Sequence, residues 1–564
     1  LAVTTVLLTS AAFAAPVIRQ SDDSRAIYKG AVADRDWGRP LASGDLDGDG
    51  YDDILVAAAE GFGGFTSMVY VIRGGPGAEF RGTTDLAVFP ADQVILGVTA
   101  DDNLGGSMAT GDVNGDGIDD LLVCASLGDF TGRTNAGIAY LVLGGANFFD
   151  SPVRDLNVSG TWHMRVAGPV EGGDMGGAGL FGGGDTHAVA IGDITGDGLG
   201  DLVLGVHLAD GAAGEAGRVY VIFGSSVPPP TFPGLTFNLA VGTGYNVRID
   251  GDGELDELGD YVLTGDITGD GIDELIIPNQ YFSRGGFFDS EGAVHIFRGK
   301  ATWSSFHNLR TTAADITLYG GRRSDNLGQS AVVGDFNGDG IGDLATAAPG
   351  AELGTLNTQQ GDGIVYGLFG STAFQTGSHL INYLTATPDF QLVGEFQQAL
   401  GRTIAAGDFN GDGYDDLAAG EWFAGGSTNG AVVVLLGRPF EPAALFTAFV
   451  DHDLYIRGAP SDRISFSLSS GDTGGDGRPE IHFGTPFNNG AFPNNAGTAY
   501  VATIRHGDAD LDDDVDLIDY DVFRNCMQGP GVAVPYECRS LDFDGDSDVD
   551  LDDAAAFARY FDAP

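Results

Sequence analysis

The sequence predicts an all-β chain: a seven-bladed β-propeller followed by a small helical module. Three observations carry this reading. One acidic phrase recurs seven times at a period near 70 residues. Apolar, β-branched runs that end near glycine flank the copies. Beyond residue 505 the pattern changes to two acidic loops, each followed by apolar residues at helical spacing.

The phrase reads GDLDGDGYDDILVAA, GDVNGDGIDDLLVCA, GDITGDGLGDLVLGV, GDITGDGIDELIIPN, GDFNGDGIGDLATAA, GDFNGDGYDDLAAGE and GDTGGDGRPEIHFGT. Its first aspartates are Asp45, Asp112, Asp193, Asp266, Asp335, Asp408 and Asp472, with gaps of 67, 81, 73, 69, 73 and 64 residues. A repeat this regular marks a repeated supersecondary unit. Each unit offers four short strands. One enters the acidic loop, one leaves it (DILVAA), a third is of the VYVIFG type, and a fourth of the LYG type precedes the next unit. Four strands alone leave two faces bare, and seven such sheets packed around an axis cover them. The last unit stops at AYVATI, so it lacks a fourth strand, and AIYKG from Ala26 is placed to supply it and close the ring.

Composition narrows the function. There are 80 acidic against 27 Lys plus Arg residues, a formal charge of -53, and the only lysines are Lys29 and Lys300. That field repels phosphate backbones and anionic membrane surfaces, so nucleic acid is excluded as a partner. With 43% hydrophobic and 10% aromatic residues the chain is not disordered. The 91 glycines follow no collagen period and read as tight turns. So much acid inside a fold calls for bound cations.

The loops supply sites for them. Positions 1, 3, 5 and 9 carry side-chain oxygens, and position 7 offers its backbone carbonyl. The first loop gives Asp45, Asp47, Asp49, Tyr51 and Asp53, and the second Asp112, Asn114, Asp116, Ile118 and Asp120. The third gives Asp193, Thr195, Asp197, Leu199 and Asp201, and the fourth Asp266, Thr268, Asp270, Ile272 and Glu274. The fifth gives Asp335, Asn337, Asp339, Ile341 and Asp343, and the sixth Asp408, Asn410, Asp412, Tyr414 and Asp416. Many hard oxygens in a tight, tolerant loop suit Ca2+. The seventh loop keeps Asp472, Asp476 and Glu480 but has Gly474 at position 3 and Arg478-Pro479 next, so a weak or empty site is expected there.

The phrase GDxNGDGxxDLxxxAP, with GxVYVxxG downstream, resembles the FG-GAP repeat of integrin alpha-subunit propellers. The resemblance covers residues 26–504. It implies calcium loops on one face and a ligand, protein or glycan, on the opposite face, where 167–188 and Tyr281 to Phe288 are suggested. No integrin metal-dependent adhesion domain is apparent, so adhesion does not carry over by fold alone.

In the tail, DADLDDDVDLID places Asp508, Asp510, Asp512, Asp514, Asp516 and Asp519 at loop positions 1, 3, 5, 7, 9 and 12. DFDGDSDVDLDD repeats this with Asp542, Asp544, Asp546, Asp548, Asp550 and Asp553. Residues Leu517, Tyr520, Phe523 and Met527, and Leu551, Ala554, Phe557 and Phe561, then recur at helical spacing. Residues 506–564 resemble the dockerin module, an EF-hand-like pair of calcium loop-helices. That implies a cohesin-like or cell-surface protein partner. With the seven propeller loops, six to nine calcium sites are expected. Cys526 and Cys538 are near enough in sequence to form a disulfide in an exported chain, though sequence does not give their distance, and Cys124 in LLVCAS reads as a core thiol.

Residues 1–14 read as a signal peptide with a truncated start, cleaved after Ala12-Phe13-Ala14. No other apolar run approaches the roughly 18 residues of a membrane span, so no transmembrane segment is expected. No HExxH, CxxC, G-x-S-x-G or phosphate loop occurs, and no catalytic residue or organic cofactor site is assigned. The expectation is a secreted, calcium-binding, non-catalytic scaffold with a ligand face and a docking or anchoring tail. The alternative is a polysaccharide-active component, whose paired carboxylates need not be close in sequence.

Overall fold

The computed structural model describes residues 37–504 apart from 59–65, 79–81, 87, 89, 178–186, 211–213, 227–234, 285–289, 353–360, 395–397, 423–428, 441–442, 449–451, 459–462 and 486–496. It also describes 17–18, 26–29, 517–527, 549 and 554.

Seven sheets form the seven expected blades. Blade 1 shows the plan, with strands lettered a to d from the axis outward. They are Trp37–Gly44, Asp53–Ala58, Thr66–Ile72 and Gln93–Ala100. Each pairs antiparallel with the next. The acidic loop joins a to b. After Asp53, strand b is a continuous apolar run, and all six positions are buried because neighbouring blades cover both of its faces.

Each sheet has five strands rather than the four expected. The fifth, e, belongs to the next blade. The segment between its strands c and d crosses back and pairs in parallel with the outer strand of the blade before. Val153–Asp155 thus extends blade 1. These strands are two to four residues long, and Phe306–Asn308 and His379–Asn382 are largely half exposed. They are too short to carry a strand-length hydrophobic run, and the neighbouring blade gives them a partner.

Closure follows the expectation. Blade 7 consists of Ser467–Gly471, Glu480–Thr485 and Thr498–Ala502, completed by Ala26–Lys29 in antiparallel register with Ala26 opposite Val501. Val17–Ile18 then extends blade 6 in parallel with Leu454–Arg457. It is the e strand of the interrupted circuit.

The core is distributed over seven clusters, each drawing on two adjacent blades. One joins blade 7 to blade 1 through Tyr28, Leu41, Ile54 and Val501. Burying each Val, Leu or Ile contributes about 1.5–3 kcal/mol, so stability resides between blades as much as within them.

Beyond the ring, one α-helix is described, Leu517–Cys526, with Phe523 and Cys526 buried. Asp519 lies in it. Cys526 is disulfide-bonded, and Cys124 is a buried free thiol. Residues 1–14, Cys538, Asp508, Asp510, Asp512, Asp514 and Asp516, and the loop from Asp542 to Asp553 other than Val549, lie outside the described residues. No helix among the described residues is long and apolar enough to cross a membrane.

Candidate cation loops and the opposite face

All seven acidic loops sit at the same end of their blades, between strands a and b. Within each, the position-1 carboxylate is wrapped by backbone N–H groups. Asp45 Oδ1 accepts from Gly48 and Asp49 and Oδ2 from Gly50. Asp112, Asp193, Asp266, Asp335, Asp408 and Asp472 are wrapped in the same way. The glycines at positions 4 and 6 have positive φ, such as 75° at Gly48 and 87° at Gly50, which permits the turn. The position-5 carboxylate accepts the N–H of position 7, as Asp116 does from Ile118 and Asp412 from Tyr414.

Position 9 is different, because its carboxylate is buried. Asp53, Asp120, Asp201, Glu274, Asp343 and Asp416 are all at 0% exposure. Each ties the loop to the end of strand c. Asp53 accepts from Leu46 and Gly74, and Asp416 from Phe409 and Gly437. Burial raises their pKa values against the lowering effect of those N–H groups. Asp53 is pushed up to about 8, and Asp120, Asp201, Asp343 and Glu274 to about 7. Asp416 is raised well above the usual range.

Three carboxylates already converge in two loops. One oxygen each of Asp45, Asp47 and Asp49 lie within 4.8 Å of one another, as do those of Asp266, Asp270 and Glu274. Asp47 Oδ1 and Asp201 Oδ2 are buried without a hydrogen-bond partner. An orphaned buried carboxylate oxygen is costly unless a cation meets it, so the donor set fits a hard divalent ion. At position 3, Asn114, Asn337 and Thr268 lean on the position-9 carboxylates, and Thr195 on Asp193, while Asn410 bonds Asp412. In the seventh loop Arg478 folds onto Asp476, and Glu480 is engaged by Thr473, so internal partners take up two of its carboxylates.

The loops also form a belt that spacing alone does not reveal. The side chain at position 7 packs over the position-4 glycine of the preceding blade. A Cβ on Gly48 would stand 2.8 Å from Ile118, one on Gly115 2.7 Å from Leu199, and one on Gly475 2.3 Å from Tyr51. Leu199, Ile272, Ile341, Tyr414 and Arg478 repeat the arrangement around the ring. The N–H at position 8 donates to the position-1 carbonyl of the preceding blade, as in Asp119 to Asp45, Asp273 to Asp193, Asp415 to Asp335 and Asp52 to Asp472. Pro479 has no N–H to donate, so the seam between blades 6 and 7 lacks this bond.

The axis holds a cavity of about 330 Å³ lined by the seven a strands, with Ser43, Thr110, Thr264 and Ser470 toward the loops and His187 and Tyr261 toward the other end. At that other end, beyond strands b and before strands a, lies a cluster that sequence reading missed. His207 is fully buried with neither ring nitrogen hydrogen-bonded, and its Nε2 is 4.0 Å from Asp174 Oδ2. Burial pushes Glu257 up to about 7, opposed by His207 and reinforced by Asp260 and Glu215. Gln280 donates to Asp260 at 2.7 Å. Arg402 lies 3.6 Å over the ring of Trp422, itself packed on Phe466. Of the stretches suggested for ligand binding, Asp174 and Tyr281 fall here, while 178–186 and 285–289 lie outside the described residues. Only long-range folding assembles the cluster, from single residues on separate turns.

Five segments, 37–72, 104–142, 186–222, 327–368 and 400–435, match the FG-GAP repeat. Integrin alpha-PS2 of Drosophila melanogaster is 28% identical over 230 residues, covering 40% of this chain and 15% of the relative. Phosphatidylinositol-glycan-specific phospholipase D of Bos taurus is 29% identical over 275 residues, covering 47% of this chain and 30% of the relative. Integrin alpha-IIb of Mus musculus is 36% identical over 126 residues, covering 22% and 11%. The matched stretch thus spans less than a third of each relative's length. Among solved structures, the exotype rhamnogalacturonan lyase YesX aligns with 84% of this chain and 74% of its own, at 14% identity and a TM-score of 0.36, too loose a likeness to carry an argument. The ring is a seven-bladed β-propeller, and the five repeat matches and the integrin alpha relatives support its being of the FG-GAP kind.

Proposed function

We propose that this chain is a secreted, calcium-binding, non-catalytic scaffold. Its acidic loops hold Ca2+, its opposite face takes a protein or glycan ligand, and its tail docks or anchors it. One observation carries the calcium reading. Six buried position-9 carboxylates face their own loop acids, and burial raises them far above the usual range. A divalent ion bound at the loop offsets that cost. The ligands would be the oxygens at positions 1, 3, 5, 7 and 9. The bonded Cys526 supports an oxidising compartment. The tail loops would add two sites and a protein-docking surface.

Two measurements test this. Elemental analysis after dialysis should find at least six calcium ions per chain, and the melting temperature should fall on adding chelator. Unchanged melts and no retained calcium would refute the reading. The whole chain and a chain ending at residue 505 should then serve as baits in calcium. A partner captured only by the whole chain supports tail docking, and one retained by both places recognition on the propeller.

A further inference from the structure

Unlike the second to sixth loops, the first already holds a cation on its acids, as the seventh does with Arg478 on Asp476. Arg73 Nη2 lies 2.5 Å from Asp47 Oδ2 and 2.9 Å from Asp49 Oδ2, the position-3 and position-5 acids. Its guanidinium is also 5.6 Å over the Phe149 ring of blade 2. Arg73 is the residue between strand c and the glycine that bonds Asp53. The corresponding residues are Leu143, Phe223, Arg298, Phe369 and Leu436, before Gly144, Gly224, Gly299, Gly370 and Gly437. Arg298 is the informative comparison. Its N–H donates to Asp315 Oδ2 just as that of Arg73 donates to Asp92 Oδ2. Its guanidinium, however, turns outward to Asp315, 3.2 Å away, and to the Gly377 carbonyl. The same backbone position therefore allows either direction, and in blade 1 the charge is directed into the loop.

The fit is incomplete. Asp47 is 6% exposed, and its second oxygen, Oδ1, is buried with no hydrogen-bond partner. Arg73 neutralises one side of the acid cluster and leaves the other unmet, as a displaceable counter-ion would. Resting on the calcium reading above, we infer that Arg73 competes with calcium for Asp47 and Asp49, making the first loop weaker in calcium than it would be without Arg73 and less dependent on calcium for its shape. The guanidinium is half exposed, at 45%, so its hold is of the modest size of partly solvated ion pairs, and removing it should tighten cation binding about three- to tenfold.

Terbium is a suitable probe, because a hard trivalent ion occupies calcium loops and is excited through a neighbouring tyrosine. Tyr51 belongs to the first loop with its ring over Gly475 of the seventh, and Tyr414 to the sixth with its ring over Gly338 of the fifth. In the full-length protein with the seventh loop disabled by Asp476→Asn, the emission component removed by Tyr51→Phe reports the first loop. Arg73→Gln should move that component's midpoint to about three- to tenfold lower terbium, with calcium displacing it in proportion. It should also lower the melting temperature in chelator while leaving that in calcium unchanged. Arg298→Gln should shift neither. An unchanged or higher midpoint in Arg73→Gln, while the Tyr414 component still titrates, would overturn the competition alone. Absence of both tyrosine components would overturn the calcium reading and this inference with it.

Discussion

Replacing Asp201 with Asn should have opposite effects with and without calcium. Asp201 is fully buried, Gly224 N–H donates to its Oδ1 at 2.9 Å, and its Oδ2 has no hydrogen-bond partner. Burial, reinforced by Asp197 and Asp193, pushes the carboxyl from 3.8 up to about 7. At about 1.4 kcal/mol per unit that rise is of order 4 kcal/mol, and roughly half remains after allowing for solvent that reaches the loop. The folded value lies above the unfolded one. Without calcium the penalty is therefore absent below about pH 4, grows as pH rises, and is complete above about pH 7. Asn retains the oxygen that faces Gly224 and carries no charge. Near pH 7.5 in chelator the variant should gain about 2 kcal/mol, a rise of about 4 °C at the roughly 2 °C per kcal/mol of large domains. In calcium it loses a ligand oxygen and should melt about 4 °C lower than the parent. Scanning calorimetry of both proteins in both buffers is the assay. An equal fall in the two buffers would show that Asp201 is only a hydrogen-bond anchor and would refute the cation argument.

Three further outcomes follow from the geometry. Deleting residues 15–30 removes the d strand of blade 7 and the e strand of blade 6, and should lower the melting temperature by at least about 10 °C; an unchanged melt would show that the ring does not need that closure. Gly205→Ala places a methyl 1.9 Å from the Gly259 carbonyl oxygen across the blade 3–4 interface. It should cost about 1–3 kcal/mol by overpacking, read by urea denaturation. Asp256 is pushed up to about 8 by burial first and then by sharing a hydrogen bond with Asp252. Its folded value is above the unfolded one, so Asp256→Asn should stabilise the protein near pH 8 and make no difference below about pH 4; a pH-independent change would sink this.

The legible part of the fold was what each unit carries within itself. The phrase from Asp112 to Asp120 declares its loop, and VYVIFG declares strand c, because both patterns are local. Strand e was illegible because Val153–Asp155 and Phe306–Asn308 have neither length nor a hydrophobic run. The same holds for the belt. Ile118 at position 7 was read for its carbonyl, while its side chain fills the space left by Gly48 one blade away. Position 9 was read as one ligand among five, and its burial appears only when strand c closes over it. His207 and Arg73 gave no signal, because each acts on residues that folding brings to it.

The interrupted circuit of blade 7 bears on how the chain could be cut. In blade 1 the c-to-d crossing has nine residues, 73–81, before strand e and seven, 86–92, after it. In blade 7 the same seven, 19–25, separate Val17–Ile18 from Ala26–Lys29. Only the piece between Ala502 and Val17 is missing. A linker of about nine residues there would restore an ordinary crossing, and the covalent ends could then be moved to any other surface loop. Such a circular permutant would have the same seven blades, with a different one fastened by two separate stretches of chain.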